Sequence, residues 1–243
     1  MQFRYLLLAP FLTGCVADVP RRSATVPATT EVAPHTRTGT PIPLLSRVAA
    51  AAPKADRRVL ALALQARGCA IQRGLAKADS RLAVIDYSQP STERRLWVFD
   101  MIQPRLLFGD YVAHGKGSGE NLARKFSNDD GSLQSSIGLF RAGETYVGGN
   151  GYSLRLDGLE PGVNDRARAR LLVMHGAWYV DPLQALEQGR LGRSYGCPAL
   201  RPQIAHEVID TLKQGQLLFA YYPDAEWMAN SDFLHCDAKP SDG

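Results

Sequence analysis

The sequence has little net charge and no dense cluster of basic residues. Its 28 Lys and Arg are nearly balanced by 24 Asp and Glu, which leaves a formal charge of +4. No Lys/Arg-rich segment with interleaved aromatic residues occurs, so the composition indicates no nucleic-acid partner. An internal repeat is also missing, which argues against a repeat architecture.

Signatures of metal and nucleotide binding are missing as well. The five His residues have no metal-ligand spacing, and His206 with Glu207 does not begin an H-E-x-x-H motif. The glycines of residues 115–119 match neither nucleotide-binding fingerprint. We therefore expect no metal and no cofactor.

The remaining composition suits one globular domain with tails. The chain has 243 residues, of which 45% are hydrophobic, enough to fill a core. Its 22 Gly and 15 Pro indicate many turns. We place the domain at residues 54–226 and a C-terminal tail at residues 227–243.

Residues 1–15 are organised like a signal peptide. A short basic start precedes an apolar run, residues 5–11, that is too short to span a bilayer. The following Leu-Thr-Gly-Cys, which ends at Cys15, resembles a bacterial lipobox, whose cysteine becomes the lipid-bearing first residue. Val16 rather than Asp then favours the outer membrane. We expect a lipid-anchored protein of the bacterial periplasm, and the alternative is an ordinary secretory signal.

Residues 16–53 form a distinct segment rich in Pro, Thr, Ala and Arg. It lacks sustained apolar periodicity, so it cannot bury enough apolar area to offset the entropy of ordering. We predict a disordered tether, with an ordered arm packed on the domain as the alternative.

Two helices and a series of strands are predicted inside the domain. Apolar residues recur at helical spacing in residues 57–67 and 202–214, with Gly68 and Gly215 suited to their ends. Runs rich in β-formers predict strands at residues 82–87, 96–99, 106–108, 111–113, 137–140, 153–156 and 166–174. The fold class is therefore mostly β with a few helices, an α+β domain.

Cys197 is the first candidate for chemistry. It lies between Gly196 and Pro198, just before the second predicted helix, whose N-terminus would favour the thiolate. The backbone amides of Tyr195, Gly196 and Cys197 are candidates for an oxyanion hole. The alternative is a buried structural cysteine.

His175 is the candidate partner of this thiol. It ends the apolar run 171–174 and precedes Gly176, a position suited to the rim of a site. A His within reach of a cysteine can take its proton and later return it to a leaving group. The alternative is a core histidine satisfied by the backbone.

Together the two residues resemble the L,D-transpeptidase signature, which is His, a spacer and Ser/Thr-His-Gly-Cys. Here the motif reads His175, a spacer, then Ser-Tyr-Gly-Cys ending at Cys197. The resemblance is closer to the murein L,D-transpeptidase catalytic domain family. It is carried by residues 84–88, 90–92, 95–98, 113–115, 118–121, 134–136, 143–146, 151–160, 173–176 and 192–199.

The resemblance implies a β-sandwich catalytic domain and a cysteine acyl-transferase. Cys197 would attack the meso-diaminopimelate–D-Ala bond of a peptidoglycan tetrapeptide stem, release D-Ala and form a thioester. An amine of another stem would resolve it to a 3–3 cross-link, and carbapenems would acylate the same thiol. A backbone carbonyl, which we place at Gly176, would orient His175.

Two departures from the family pattern bear on the site. Tyr195 replaces the motif His, which leaves His175 as the motif's one candidate base. Pro198 and Ala199 replace the usual apolar residue followed by Asn or Arg, so substrate contacts made there by other members are in doubt. Two other functions stay open: an L,D-carboxypeptidase or murein hydrolase using the same thioester, and a lipid-anchored, non-catalytic murein-binding protein.

Further residues are weighed as substrate contacts. Those within the family segments are Ser194, Arg193, His114, Tyr152 and Arg155, although Ser194 could merely shape its turn and His114 could cap backbone. For the arginines at positions 166, 168 and 170, we favour a solvated strand face over carboxylate binding.

Two cysteines remain. Cys69 and Cys236 could form a disulfide in an oxidising compartment, or they could be separate buried thiols. Sequence does not show whether they lie close enough to bond. The oligomeric state is likewise not predicted.

Overall fold

The computed structural model describes residues 43–236. The predicted signal peptide, Cys15 and the tether up to residue 42 lie outside the described residues. In the part of the chain that is described, no helix is both long and apolar enough to cross a membrane.

Residues 43–236 form five helices and nine strands, which confirms the predicted fold class. The helices are α1 (Leu44–Ala51), α2 (Arg57–Gln72), α3 (Pro182–Gln188), α4 (Pro202–Leu212) and α5 (Ala225–Asn230). The strands are β1 (Leu82–Asp86), β2 (Leu96–Asp100), β3 (Arg105–Asp110), β4 (Val112–Ala113), β5 (Gly138–Gly148), β6 (Gly151–Gly158), β7 (Val173–Gly176), β8 (Ala199–Leu200) and β9 (Leu217–Tyr221).

The strands hydrogen-bond into one sheet in the order β3-β2-β1-β9-β5-β6-β7-β8-β4. Strands β3 and β4 stand at opposite edges of this order, yet Tyr111 alone separates them along the chain. The two edges must therefore meet, and the sheet curves almost into a barrel. The β-sandwich expected from the resemblance takes this form of a single sheet folded on itself.

Strand β1 is buried on both faces of the sheet. Ala83 and Ile85 belong to a core that also contains the apolar face of α4, whereas Leu82 and Val84 pack in a second core with α1, α2 and α5. Because successive strand residues point to opposite faces, a strand between two cores must be apolar throughout. This explains the uninterrupted run of residues 82–85.

The ordered region is longer at both ends than the sequence predicted. Helix α1 lies inside the segment 16–53 that was predicted as tether, and its Val48 is fully buried in the second core. In the predicted tail, Trp227 and Phe233 are buried in that same core. Composition suggested disorder, but a few apolar residues at helical spacing suffice when a core accepts them.

Two element boundaries also differ from the prediction. Helix α2 continues through Gly68 to Gln72 because Cys69 and Ala70 extend its buried stripe. Residues 166–172 form turns rather than strand, closed by a hydrogen bond of 2.9 Å from Leu172 N to Ala167 O. The strand at this point is limited to β7.

The structure joins Cys69 on α2 to Cys236 in a disulfide, with a Cα–Cα distance of 5.6 Å and 167 residues of separation. The bond links the C-terminal segment to a helix near the start of the domain. A cross-link over such a long loop restricts the unfolded chain strongly.

Replacing both Cys69 and Cys236 with Ala is therefore expected to lower the free energy of unfolding by about 2–5 kcal/mol. Urea denaturation of the double variant and the unaltered oxidised chain measures the difference. An unchanged denaturation midpoint would show that the packing of residues 225–236 holds the C-terminus without the bond.

Candidate active site

Cys197 lies against the strand that carries His175. Its Sγ is 3.5 Å from Val173 N, which donates to it, and 3.8 Å from Leu171 O. Strand β8 begins two residues after Cys197, and there Ala199 pairs in parallel register with His175. Residues 24 apart in sequence are thus gathered at one end of two adjacent strands.

The thiol is largely withdrawn from solvent, because Cys197 is 9% exposed. Burial raises the pKa of the Cys197 thiol, while the Val173 N–H and the charge of Arg170 act in the opposite direction. The sequence predicted that a helix N-terminus would stabilise the Cys197 thiolate. This prediction is wrong, because β8 lies between Cys197 and α4, which begins only at Pro202.

His175 is held in one tautomer by its neighbour. Its Nδ1 lies 3.0 Å from Gly176 O, and because a carbonyl only accepts, Nδ1 carries the hydrogen and Nε2 is left with a lone pair. This is the contact with Gly176 that the resemblance implied. Burial lowers the pKa of His175, so the ring is neutral at pH 7.

Close packing against α4 explains why residue 176 is a glycine. A Cβ there would lie 2.9 Å from the Cβ of Ala205 on α4, closer than real side chains come. Helix α4 therefore packs directly on the backbone of β7. That contact fixes the carbonyl that orients the imidazole.

The turn before the thiol is shaped by Ser194. Its Oγ donates to Cys197 O at 2.6 Å and accepts from Gly196 N at 3.1 Å. Ser194 thus shapes the turn, which was the alternative to its predicted role as a substrate contact. Of the three amides predicted to form an oxyanion hole, that of Gly196 is engaged by Ser194 Oγ, and those of Tyr195 and Cys197 remain.

Two other segments support this turn. Ser194 N donates to His114 O at 3.0 Å, which joins the turn to the segment after β4. Ser135 Oγ donates to Gly196 O at 2.8 Å and accepts from Gly115 N at 3.0 Å. The backbone on either side of Tyr195 is therefore braced from two directions.

His114, predicted as a substrate contact, is bound within the protein in this structure. It is buried, its Nδ1 accepts from Arg95 Nη2 at 2.7 Å, and its Nε2 donates to Gly119 O at 3.3 Å. Burial and the charge of Arg95 lower the pKa of His114 to about 3. A neutral ring with both nitrogens engaged has no bond left for a ligand.

Arg95 is an important residue that the sequence reasoning missed. It is fully buried and donates to Val112 O through Nε (3.1 Å) and Nη2 (2.9 Å), and to Gln89 O through Nη1 (2.7 Å). It thereby ties the start of β2 to β4 across the closure of the sheet. Two sequence signals were present: Arg95 is a charged residue directly before the apolar strand 96–99, and it begins the segment 95–98 that resembles the family.

Tyr152 and Arg155, both predicted as substrate contacts, form contacts within the protein. Tyr152 OH donates to Asp210 Oδ1 at 2.7 Å, which attaches β6 to α4. Arg155 Nε lies 3.0 Å from Glu144 Oε1, and its guanidinium stacks 4.4 Å from the centre of the Tyr146 ring. Both side chains hold the fold around the site.

Arg193, also predicted as a substrate contact, is held by the segment after β4. Its Nη1 donates to Gly119 O at 3.0 Å and to Glu120 Oε1 at 2.6 Å, so its charge is already paired. Tyr195 points outward, with 71% of its surface exposed and Lys116 Nζ 4.4 Å from the ring centre.

The three arginines predicted on a solvated strand face lie on the turns before β7. Arg168 forms ion pairs with Glu144 (2.7 Å) and with Asp157. Arg170 is instead half-buried and donates to backbone and hydroxyl oxygens, including Gln134 O at 2.8 Å. Among residues 43–236, no group of three or more His, Cys, Asp and Glu side chains is arranged to hold a metal ion.

The L,D-transpeptidase catalytic domain family model matches residues 51–221 of this sequence. The matched region covers most of the chain and includes both His175 and Cys197. The chain therefore belongs to the L,D-transpeptidase catalytic domain family, as the motifs predicted.

Solved structures resemble this chain at low sequence identity and low TM-score. An L,D-transpeptidase from Mycobacterium smegmatis is 15% identical, with 59% of each chain covered and a TM-score of 0.36. The helical cell shape determining protein Pgp2 from Campylobacter jejuni is 14% identical, with 67% of this chain and 56% of that chain covered and a TM-score of 0.39. An L,D-transpeptidase from Stackebrandtia nassauensis is 12% identical, with 75% of this chain and 90% of that chain covered and a TM-score of 0.35.

This chain thus spans 59% of the Mycobacterium smegmatis protein, and the family assignment rests on the family model. A comparison with curated proteins found no match.

Proposed function

We propose that this chain is an L,D-transpeptidase that acts on peptidoglycan stem peptides, with Cys197 as nucleophile and His175 as base. The observation that carries the proposal is the contact of the Cys197 thiol with Val173 N of β7, the strand that also carries His175. The Nδ1 bond of His175 to Gly176 O leaves its Nε2 unprotonated. Membership in the family supports the substrate class.

In the first half-reaction, His175 Nε2 takes the Sγ proton and the thiolate attacks the carbonyl of the meso-diaminopimelate–D-Ala bond. A C–S bond forms, and the amides of Tyr195 and Cys197 stabilise the oxyanion. The C–N bond then breaks, and the leaving nitrogen of D-Ala takes the proton from His175. A thioester on Cys197 remains.

In the second half-reaction, the side-chain amine of a second stem attacks the thioester. His175 takes a proton from this amine, a new C–N bond forms, and the C–S bond breaks. The product is a 3–3 cross-link, and the thiolate recovers its proton. Two half-reactions through one covalent intermediate predict ping-pong kinetics.

A hydrolase is the second candidate, because water can resolve the same thioester. The burial of both Cys197 and His175 favours transfer to an amine, since a desolvated thioester is less accessible to bulk water. A non-catalytic murein-binding protein would have no need for a thiol held against β7 together with an oriented imidazole on that strand.

Incubation of the full chain with disaccharide-tetrapeptides, followed by mass spectrometry, tests the function. Transpeptidation predicts dimers lighter than two monomers by one D-Ala, and hydrolysis predicts tripeptide monomers alone. A Cys197→Ala variant, checked for folding by circular dichroism, should give neither product. If the folded unaltered chain forms no Cys197-dependent product, both enzymatic functions are refuted.

We also propose that Cys15 bears lipid and anchors the protein to the periplasmic face of the outer membrane. The support is the lipobox-like sequence before Cys15 and Val16 after it. A Cys15→Ala variant is expected to lose incorporation of labelled fatty acid. Undiminished labelling of that variant would contradict the anchor.

A further inference from the structure

Arg170 is a half-buried arginine held by four neutral oxygen acceptors. Its Nη1 donates to Ser127 O (2.5 Å) and Ser136 Oγ (2.7 Å), and its Nη2 to Ser132 Oγ (3.0 Å) and Gln134 O (2.8 Å). Within residues 43–236, no carboxylate forms an ion pair with it. Hydrogen bonds to carbonyls and hydroxyls leave its positive charge without a contacting counter-ion.

All four acceptors lie in residues 127–136, the segment that braces the turn of the nucleophile. Gln134 O, which accepts from Arg170, is 2.8 Å from the position that a Cβ on Gly196 would occupy. The next residue, Ser135, donates to Gly196 O at 2.8 Å. Arg170 therefore holds this segment against the residue immediately before Cys197.

A second connection runs through the backbone of the neighbouring residue. Leu171 has a left-handed conformation, with φ of 56°, and its carbonyl oxygen is 3.8 Å from Cys197 Sγ. Non-glycine residues adopt this conformation at a cost of about 1–2 kcal/mol, so the surrounding structure must enforce it. The hydrogen bonds of Arg170 anchor the chain at this turn.

Few ionisable groups surround the Cys197 thiol and the Arg170 guanidinium. Arg170 and Cys197 interact electrostatically with each other, and Arg170 opposes the effect of burial on the thiol pKa. The other ionisable groups that interact electrostatically with the thiol or the guanidinium are Tyr87, Tyr179, Asp129, Asp130 and Arg166, and His175 lies on the adjacent strand β7.

We propose that Arg170 is a positioning residue of the active site, which holds residues 127–136 against the Gly196–Cys197 backbone and stabilises the Cys197 thiolate by its charge. The inference rests on the proposed function for the role of that thiolate as nucleophile. It assigns Arg170 no contact with substrate.

The pH dependence of alkylation by iodoacetamide tests this role, because the thiolate is the reacting species. The reaction is followed on the Cys197 peptide by mass spectrometry, so that Cys15 does not contribute. For Arg170→Gln we expect the midpoint pH to rise by about one unit and the rate at pH 7 to fall roughly tenfold. Arg170→Lys, which keeps the charge, should stay within a few tenths of a unit of the unaltered chain.

Arg168→Gln is the matched control, since Arg168 lies two residues away but pairs with Glu144 and Asp157. Its alkylation profile should match that of the unaltered chain. The inference is overturned if the Arg170→Gln profile also matches, or if Arg168→Gln shifts it equally.

If thermal melting shows that Arg170→Gln does not fold, the alkylation midpoint of Arg170→Lys tests the inference instead. A midpoint near that of the unaltered chain supports the role of charge, and a rise of a full unit overturns it. Alkylation needs no peptidoglycan, so it stands apart from the test of function. A chain that is inactive on stems but shows the expected shift would refute the proposed function and keep this inference.

Discussion

A His175→Ala variant is expected to be acylated by a carbapenem at Cys197 about 10²–10⁴-fold more slowly than the unaltered chain. Burial raises the pKa of the Cys197 thiol, so little thiolate exists at neutral pH without a base. In the proposed mechanism that base is His175 Nε2, which the Nδ1 bond to Gly176 O keeps free of a proton. The rate of mass increase on the intact protein measures the effect.

The same assay should show a characteristic dependence on pH. Burial lowers the pKa of His175 below its usual value near 6.5, and only the neutral ring can accept a proton. The acylation rate is therefore expected to hold as the pH falls to 6.5 and to decline only below it. A decline centred clearly above pH 6.5 would contradict the assignment.

Tyr195→Phe provides the control for this prediction. Tyr195 occupies the motif position that most family members fill with His, but its side chain is 71% exposed and its ring lies against Lys116 Nζ. Its loss should leave the acylation rate unchanged. Equal rates in His175→Ala and the unaltered chain would remove His175 from the role of base.

Arg95→Met is expected to lower the free energy of unfolding by roughly 3 kcal/mol. The substitution leaves Val112 O, Gln89 O and His114 Nδ1 without their buried donor. Each unsatisfied group costs about 1–3 kcal/mol, and this sum is partly offset because a buried guanidinium is itself expensive. Burial lowers the pKa of Arg95 to about 10, which reflects that expense.

Arg105→Met is the matched control for this loss. Arg105 lies on β3, and its exposed side chain reaches Asp100 at 3.6 Å. An exposed ion pair contributes about 0–1 kcal/mol, so the control should unfold almost like the unaltered chain. Urea denaturation compares the two variants. A loss below about 1 kcal/mol for Arg95→Met would show that the sheet closes without this residue.

The Arg95→Met substitution should also affect the active site. Arg95 holds the ring of His114, and the carbonyl of His114 accepts from Ser194 N in the turn before Cys197. Loosening this chain of bonds is expected to move the Tyr195 and Cys197 amides, which we propose as the oxyanion hole. Slower acylation is therefore expected to accompany the lost stability.

Local features of the sequence were sufficient to predict much of the fold. The apolar stripe of α4 and the β-forming runs of β1 and β2 follow from residue spacing and residue type alone. The extent of the ordered domain was missed, because α1 lies within residues 16–53, whose composition as a whole is typical of disorder. Its order depends on a core built from residues distant in sequence.

The sequence by itself determined the family, the chemical candidates Cys197 and His175, and the loss of the second motif histidine at Tyr195. These depend on residue identity and spacing, which are visible in one dimension. Only the tertiary structure decided that His114 is buried and neutral, and that the Gly196 amide is occupied. Burial, pKa and hydrogen-bond partners depend on groups brought together from across the chain, and a linear pattern does not contain those distances.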